Sequence, residues 1–278
     1  MKLETGLFFG RIPYARVGSQ PEPIVVLAGG QAFVQRPSRA RLERDAKRIA
    51  RLLPRERSFI LLGYDPSRAA DSPLDSIVSD TAAVVRELGS VRELIGISYG
   101  GVIALQLAVR HPSWVSVLVL LASAHDFSTD GKRRIAQQID CASRGDFATL
   151  VGGFVAVFRR PWLNWLLQIR LLIRRNRLGE SMNGATTIIR GLTAILDARL
   201  ADTTRLAQVT ARTLVIGGSQ DQFFGNGMLE QTAAALPNAT LSLFPGETHM
   251  LPVERPRAVA AQLRAFLSRA ESIEHVAR

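Results

Sequence analysis

Cysteine is almost missing from this chain. Cys141 is the only one in 278 residues, so no internal disulfide can staple the fold. Lysine is nearly as scarce: of 35 basic residues only Lys2, Lys47 and Lys132 are lysines, and the rest are arginines spread along most of the sequence. The formal net charge of +11 raises nucleic acid as a partner. Yet the arginine clusters at 36–57 and 159–177 sit in no recognised nucleic-acid module, so solvated basic faces are expected and nucleic-acid binding is not. No apolar run approaches the ~20 residues that cross a bilayer. The opening Met1-Lys2-Leu3-Glu4-Thr5-Gly6 has neither the apolar core nor the small-residue cleavage site of a secretory signal. A cytoplasmic protein is the expectation. Charged residues at 21% and apolar residues at 47% describe ordinary globular material, long enough to bury a substantial core.

The chain does contain an alternation of short apolar runs and helical spacings. Strands are expected at 7–9, 12–16, 24–27, 59–62, 94–97 and 115–121, and again at 213–216 and 240–244. Helices fall between most of them: from Ser38 as a cap to Pro54, around Ile77 to Leu88 closed by Gly89, from the end of the 94–97 strand to His111-Pro112, over 228–236, and around Val259 to Leu267. Short buried strands alternating with helices mean a mostly parallel sheet covered on both faces. Between about Asp126 and Leu206 the alternation stops. That span is too long for a loop, and its apolar residues recur at helical steps (Ile135/Ile139, Phe147/Leu150/Val151/Phe154/Val155/Phe158, Trp162/Trp165/Leu166/Ile169/Leu172, Ile188/Ile189/Leu192/Ile195/Leu196). An all-helical insertion over 126–206, acting as a cap on a core made of 1–125 and 207–278, is the expected organisation.

One stretch carries chemistry. Gly96-Ile97-Ser98-Tyr99-Gly100-Gly101 lies between a buried strand and a buried helix. A serine between glycines at this junction is the layout of a nucleophile elbow, in which the chain crosses itself too closely for side chains on either side. A serine hydroxyl needs a base within hydrogen-bond reach. Of the four histidines, His111 closes a helix, His275 lies in a charged tail, and His125 follows a strand and stays in reserve. His249 is preferred, in the loop 245–249 just past the last strand, because ligands gather at the carboxyl ends of parallel strands. The base in turn needs a carboxylate to set its tautomer. Asp221, just past the preceding strand, fits that role, with Asp126 as the runner-up. An oxyanion would need backbone N–H donors: Tyr99 at the start of the helix after Ser98, and Gly30 (with Gln31 as the alternative) after the 24–27 strand.

Serine, acid and histidine in this order on successive strand ends resemble a capped, esterase-like member of the alpha/beta hydrolase superfamily. Further echoes are His111-Pro112 after the elbow helix, Thr213-Leu214-Val215-Ile216-Gly217 leading to Asp221, and His249-Met250-Leu251-Pro252-Val253-Glu254-Arg255-Pro256. The resemblance covers nearly the whole length outside the insertion. It implies an eight-stranded, mostly parallel sheet with an all-helical cap after strand six, and hydrolysis through an acyl-enzyme without metal or cofactor. Relatives often have histidine where Ala28 stands, proline at Arg212 and glycine at Thr248. Haloalkane dehalogenases and epoxide hydrolases use aspartate at the position of Ser98, which sets those chemistries aside.

The expected substrate is a small or medium, largely apolar ester, lactone or thioester, with Gln31, Phe33, Phe154, Phe158, Trp162 and Phe223 as candidate lining. Carbon–carbon bond hydrolysis with the same three residues, or ligand binding without turnover, are the alternatives. The segment 159–175 reads first as a cap helix with one face on the core. Its basic flanks and paired tryptophans also suit weak contact with an anionic membrane surface.

Overall fold

The computed structural model describes residues 2–65, 73–89, 91–196, 203–225 and 227–276. In chain order the first half runs β1 (Leu3–Phe8), β2 (Ile12–Val17), β3 (Ile24–Leu27), α1 (Gln31–Val34), α2 (Arg39–Ile49), β4 (Phe59–Leu62), α3 (Pro73–Glu87), β5 (Glu93–Ile97), α4 (Tyr99–Arg110) and β6 (Val117–Leu121). An all-helical segment follows: α5 (Thr129–Ser143), α6 (Phe147–Val155), α7 (Pro161–Ile173), α8 (Arg175–Ser181), α9 (Ala185–Leu196) and α10 (Thr203–Leu206). The chain then returns to β7 (Arg212–Gly218), α11 (Met228–Ala235), β8 (Ala239–Phe244), α12 (Leu251–Glu254) and α13 (Pro256–Val276).

The strands form one eight-stranded sheet in the order β1-β2-β4-β3-β5-β6-β7-β8. Strand β2 pairs antiparallel with both β1 and β4, and every later neighbour is parallel. Strict alternation decides which side chain faces which layer. Val25, Leu27, Leu94, Leu118, Leu120 and Val215 face α3, α4 and α11, whereas Ile24, Val26, Ile95, Val119, Leu214 and Ile216 face α2 and α13. Both faces are dry, so these strands are apolar apart from Glu93, Arg212 and Thr213 at the starts of β5 and β7, and α4 is buried from Tyr99 to Val109. Helix α2 starts where expected, with Ser38 accepting the Arg41 N–H.

Expectation and structure differ in detail. The first strand runs Leu3–Phe8, earlier than its densest apolar residues, because its register against β2 begins at Leu3 and Val17. The sixth strand starts at Val117, after Ser116 has already paired with Arg92 in a loop. The short helices α1 and α8 were not anticipated. Four and seven residues are too few to show a helical period.

Strand β3 lies between β4 and β5, so its carboxyl end opens beside that of β5. There the chain crosses itself. A Cβ on Gly96 would stand 2.2 Å from Gly101 Cα, and one on Gly100 would stand 2.3 Å from the Leu27 carbonyl oxygen. Because those neighbours are backbone, nothing can give way. Gly96→Ala is therefore expected to destabilise by about 3 kcal/mol or more. Gly184→Ala, whose added methyl meets nothing within 4 Å, is expected to stay within about 0.5 kcal/mol. Urea unfolding of the two variants measures the difference.

Candidate active site

Ser98 sits between β5 and α4 with φ 52° and ψ −124°. This is a left-handed backbone that a non-glycine residue adopts at a cost of roughly 1–3 kcal/mol. The turn holds the hydroxyl clear of strand and helix. Its Oγ lies 3.0 Å from His249 Nε2, and His249 Nδ1 lies 2.8 Å from Asp221 Oδ2. The three side chains come from three strand ends, those of β5, β7 and β8, and form one continuous hydrogen-bonded chain.

Each member is held from outside. The Asp221 side chain is fully buried, and its second oxygen accepts the backbone N–H groups of Phe223 and Phe224 at 2.8 and 2.9 Å. These two bonds fix the carboxylate, leaving Oδ2 for the imidazole. The β7 end and the histidine loop are pressed together at Gly218, where a Cβ would stand 2.1 Å from the Glu247 carbonyl oxygen. His249 itself rests edge-on against Phe223, with ring centroids 4.8 Å apart.

The β3 exit borders the same place. A Cβ on Gly29 would lie 3.4 Å from Ser98 Cβ. One on Gly30 would lie 3.3 Å from Ile195 Cδ1 and 3.9 Å from both Tyr99 Cβ and Phe154 Cε1. Gly30 and Tyr99 are thus neighbours at the openings of α1 and α4. Gln31 begins α1, and its carbonyl accepts from Arg41 Nη2 at 3.0 Å.

Of the apolar candidates, Phe154 reaches Gly30 and stacks on Phe223 at 6.4 Å. Phe33 is buried deeper, stacked on Tyr64, edge-on to Tyr99 and packed against Gly191 of α9. Phe158 is half-buried, with its backbone N–H and carbonyl both held by the Asn164 side chain. Trp162 is 55% exposed on α7 and so turns toward solvent rather than inward.

The reserve residues are engaged elsewhere. His125 is buried with Nδ1 2.8 Å from Thr232 Oγ1, while Asp126 pairs with Lys132 at 2.5 Å and accepts the Phe127 N–H. His111 stacks on Trp114 at 3.9 Å. The side chain of His275 lies outside the described residues. Among the described residues no cluster of three His, Cys, Asp or Glu side chains could hold a metal ion.

Gln222 was not anticipated. Its Oε1 accepts the His249 N–H at 3.2 Å, and its Nε2 donates to the Val157 carbonyl at 3.3 Å, so it joins the histidine loop to the linker between α6 and α7. Nearby, the Arg159 N–H donates to Glu254 Oε2 at 3.1 Å, and Thr248 Oγ1 bonds the same oxygen at 3.3 Å. Position next to the acid was the only sequence signal for Gln222. A second clamp lies opposite: Asn183 Nδ2 donates to the Phe33 carbonyl at 2.8 Å, and Arg36 Nε to the Met182 carbonyl at 2.7 Å.

The description "Alpha/beta hydrolase family" matches residues 24–262, and the chain belongs to that family. Among curated proteins it is 28% identical, over 201 residues, to a Bacillus subtilis (strain 168) protein provisionally named 2-succinyl-6-hydroxy-2,4-cyclohexadiene-1-carboxylate synthase; the match covers 69% of this chain and 71% of that one. Among solved structures it resembles MGS-M2, an alpha/beta hydrolase enzyme from a Medee basin deep-sea metagenome library (TM-score 0.76, 18% identity, 95% of this chain and 97% of that one). It also resembles the enol-lactonase from Burkholderia xenovorans LB400 (TM-score 0.73, 18% identity, 95% and 100%). At such identities the structural likeness speaks for the fold.

Burial lowers the His125 pKa from its ordinary 6.5, with Lys132 adding to the effect and Asp126 opposing it. The folded protein thus favours the neutral imidazole more than the unfolded chain does. Its contribution to stability is complete above the unfolded value and is lost as pH falls through the lower folded value. Urea midpoints measured downward from neutral pH are expected to fall more steeply for the wild type than for His125→Gln.

Proposed function

We propose that this chain is a serine hydrolase acting on a small or medium, largely apolar carboxylic ester, lactone or thioester through an acyl-enzyme. The observation that carries the reading is the relay from Ser98 Oγ to His249 Nε2 at 3.0 Å and from Nδ1 to Asp221 at 2.8 Å, anchored on a strained serine. Ser98 Oγ attacks the acyl carbonyl while His249 Nε2 takes its proton, and the buried Asp221 carboxylate stabilises the imidazolium. The carbonyl oxygen becomes an oxyanion between the N–H groups of Tyr99 and Gly30. The helix dipole of α4 favours charge there. Collapse breaks the bond to the leaving group, which receives the proton from His249. Water then attacks the acyl-serine, gives its proton to His249, and the acid leaves as Ser98 recovers its hydrogen.

The apolar preference rests on Phe154 and Ile195 beside Gly30 and on Phe223 beside His249. In this reading the helices between β6 and β7 are the cap over the acyl group. The two clamps, at Gln222–Val157 and at Asn183–Phe33, would hold that cap near the loops that do the chemistry.

Ser98→Ala is expected to abolish covalent labelling by a fluorophosphonate, with labelling at the wild-type rate overturning the assignment. His249→Gln and Asp221→Asn are each expected to lower kcat/KM on p-nitrophenyl butyrate by about 10⁴-fold. A wild-type protein that turns over no member of a short-chain ester, lactone and thioester panel would also overturn it.

A further inference from the structure

We propose that α7 is a docking surface for an anionic lipid bilayer, a role independent of the chemistry at Ser98. Among its described side chains this helix buries none, although it is apolar on two sides. Leu163, Leu167 and Leu171 are half-buried, and α7 packs against α6 and α8. On the outer side, at spacings of three, four and seven residues, stand Trp162 (55% exposed), Trp165 (61%), Leu166 (46%), Leu172 (58%) and Ile173 (78%). Spacing of this kind puts all five on one stripe of the helix. A stripe of large apolar side chains left in water is the feature that requires an occupant.

The charge around the stripe selects which occupant. Arg159 and Arg160 precede the helix, Arg170 lies in its last turn, and Arg174 and Arg175 follow it; all five are exposed. From 159 to 175 the sequence contains no Asp or Glu. A second copy docking through the same face would oppose arginine to arginine, so charge disfavours a symmetric dimer. An anionic headgroup layer satisfies both parts: the tryptophans and aliphatics enter the interface, and the guanidiniums of Arg160, Arg170, Arg174 and Arg175 meet lipid phosphates. At 13 residues the helix is about 20 Å long, so it would lie in the interface plane rather than cross it.

The surface is also well placed. Arg159, which leads into α7, donates its N–H to Glu254, and its guanidinium lies 3.7 Å from Glu247. Both acids belong to the segment that carries His249, so a bilayer under α7 would lie close to the candidate site.

The test is co-sedimentation of the full chain with vesicles of phosphatidylcholine containing about 30 mol% phosphatidylglycerol, and with phosphatidylcholine alone. Binding is expected to the anionic vesicles, to weaken with added salt, and to be far weaker on the neutral ones. The double variant Trp165→Ser, Ile173→Ser is expected to bind about tenfold more weakly or worse. The triple variant Arg170→Gln, Arg174→Gln, Arg175→Gln is expected to lose about a hundredfold. Both should keep wild-type circular dichroism and wild-type turnover of a soluble ester, since these side chains are exposed and lie outside the candidate site. Absence of binding to anionic vesicles, equal binding to neutral ones, or a dimer in sedimentation velocity that the Trp165/Ile173 variant dissolves would each overturn the proposal.

Discussion

The backbone crossing at Gly96 and Gly100 is the constraint on which the rest of the site depends. Strand β5 must turn directly into α4, and α4 must lie flat against β3, with its second residue almost touching the Leu27 carbonyl. Under those conditions the residue at the turn has only the left-handed backbone open to it, and its side chain points away from the packed layers. Ser98 is exposed to its partners for that reason. The dry contact of α4 with the sheet, buried from Tyr99 to Val109, supplies the burial energy that holds the strained turn.

Parallel topology does the remaining positioning. β5, β7 and β8 all end on the same side of the sheet, so loops that leave them converge without long excursions. Local bonds then refine the geometry: two backbone N–H groups fix Asp221, Gln222 holds the His249 backbone, and Phe223 presses on the ring. The same loop that orients the imidazole also grips the α6–α7 linker. One set of side chains therefore supports both the histidine loop and the α6–α7 linker, and α7 extends from that linker with its apolar stripe outward.

What could be read from the sequence was what local chemistry dictates. Runs such as Phe59–Leu62 and Ile24–Leu27 are strands in the structure at the same residues, because a strand buried on both faces has no polar position to blur it. The elbow was legible because three close glycines answer a steric demand made within six residues. By contrast, α1 was missed although it borders Ser98, since its four residues make one turn and are held by Asn183, 150 residues further along the chain, as well as by nearby Arg41. Between β6 and β7 the longer helices were legible as helices but not in their ends: α6 stops at Val155, and Phe158 falls in a linker held by Asn164.

By itself, then, the sequence determined the alternation of strands and helices, the absence of disulfides and the strained turn at Ser98, because each is a matter of neighbours along the chain. Only the tertiary structure decided which histidine and which aspartate meet the serine, since His125 and Asp126 are engaged by Thr232 and Lys132 while His249 and Asp221 face each other across two strand ends. It decided the direction of α7 as well. A helix apolar on two sides offers either one to the core, and the choice falls to the neighbours it finds in space, α6 and α8, which no periodicity records.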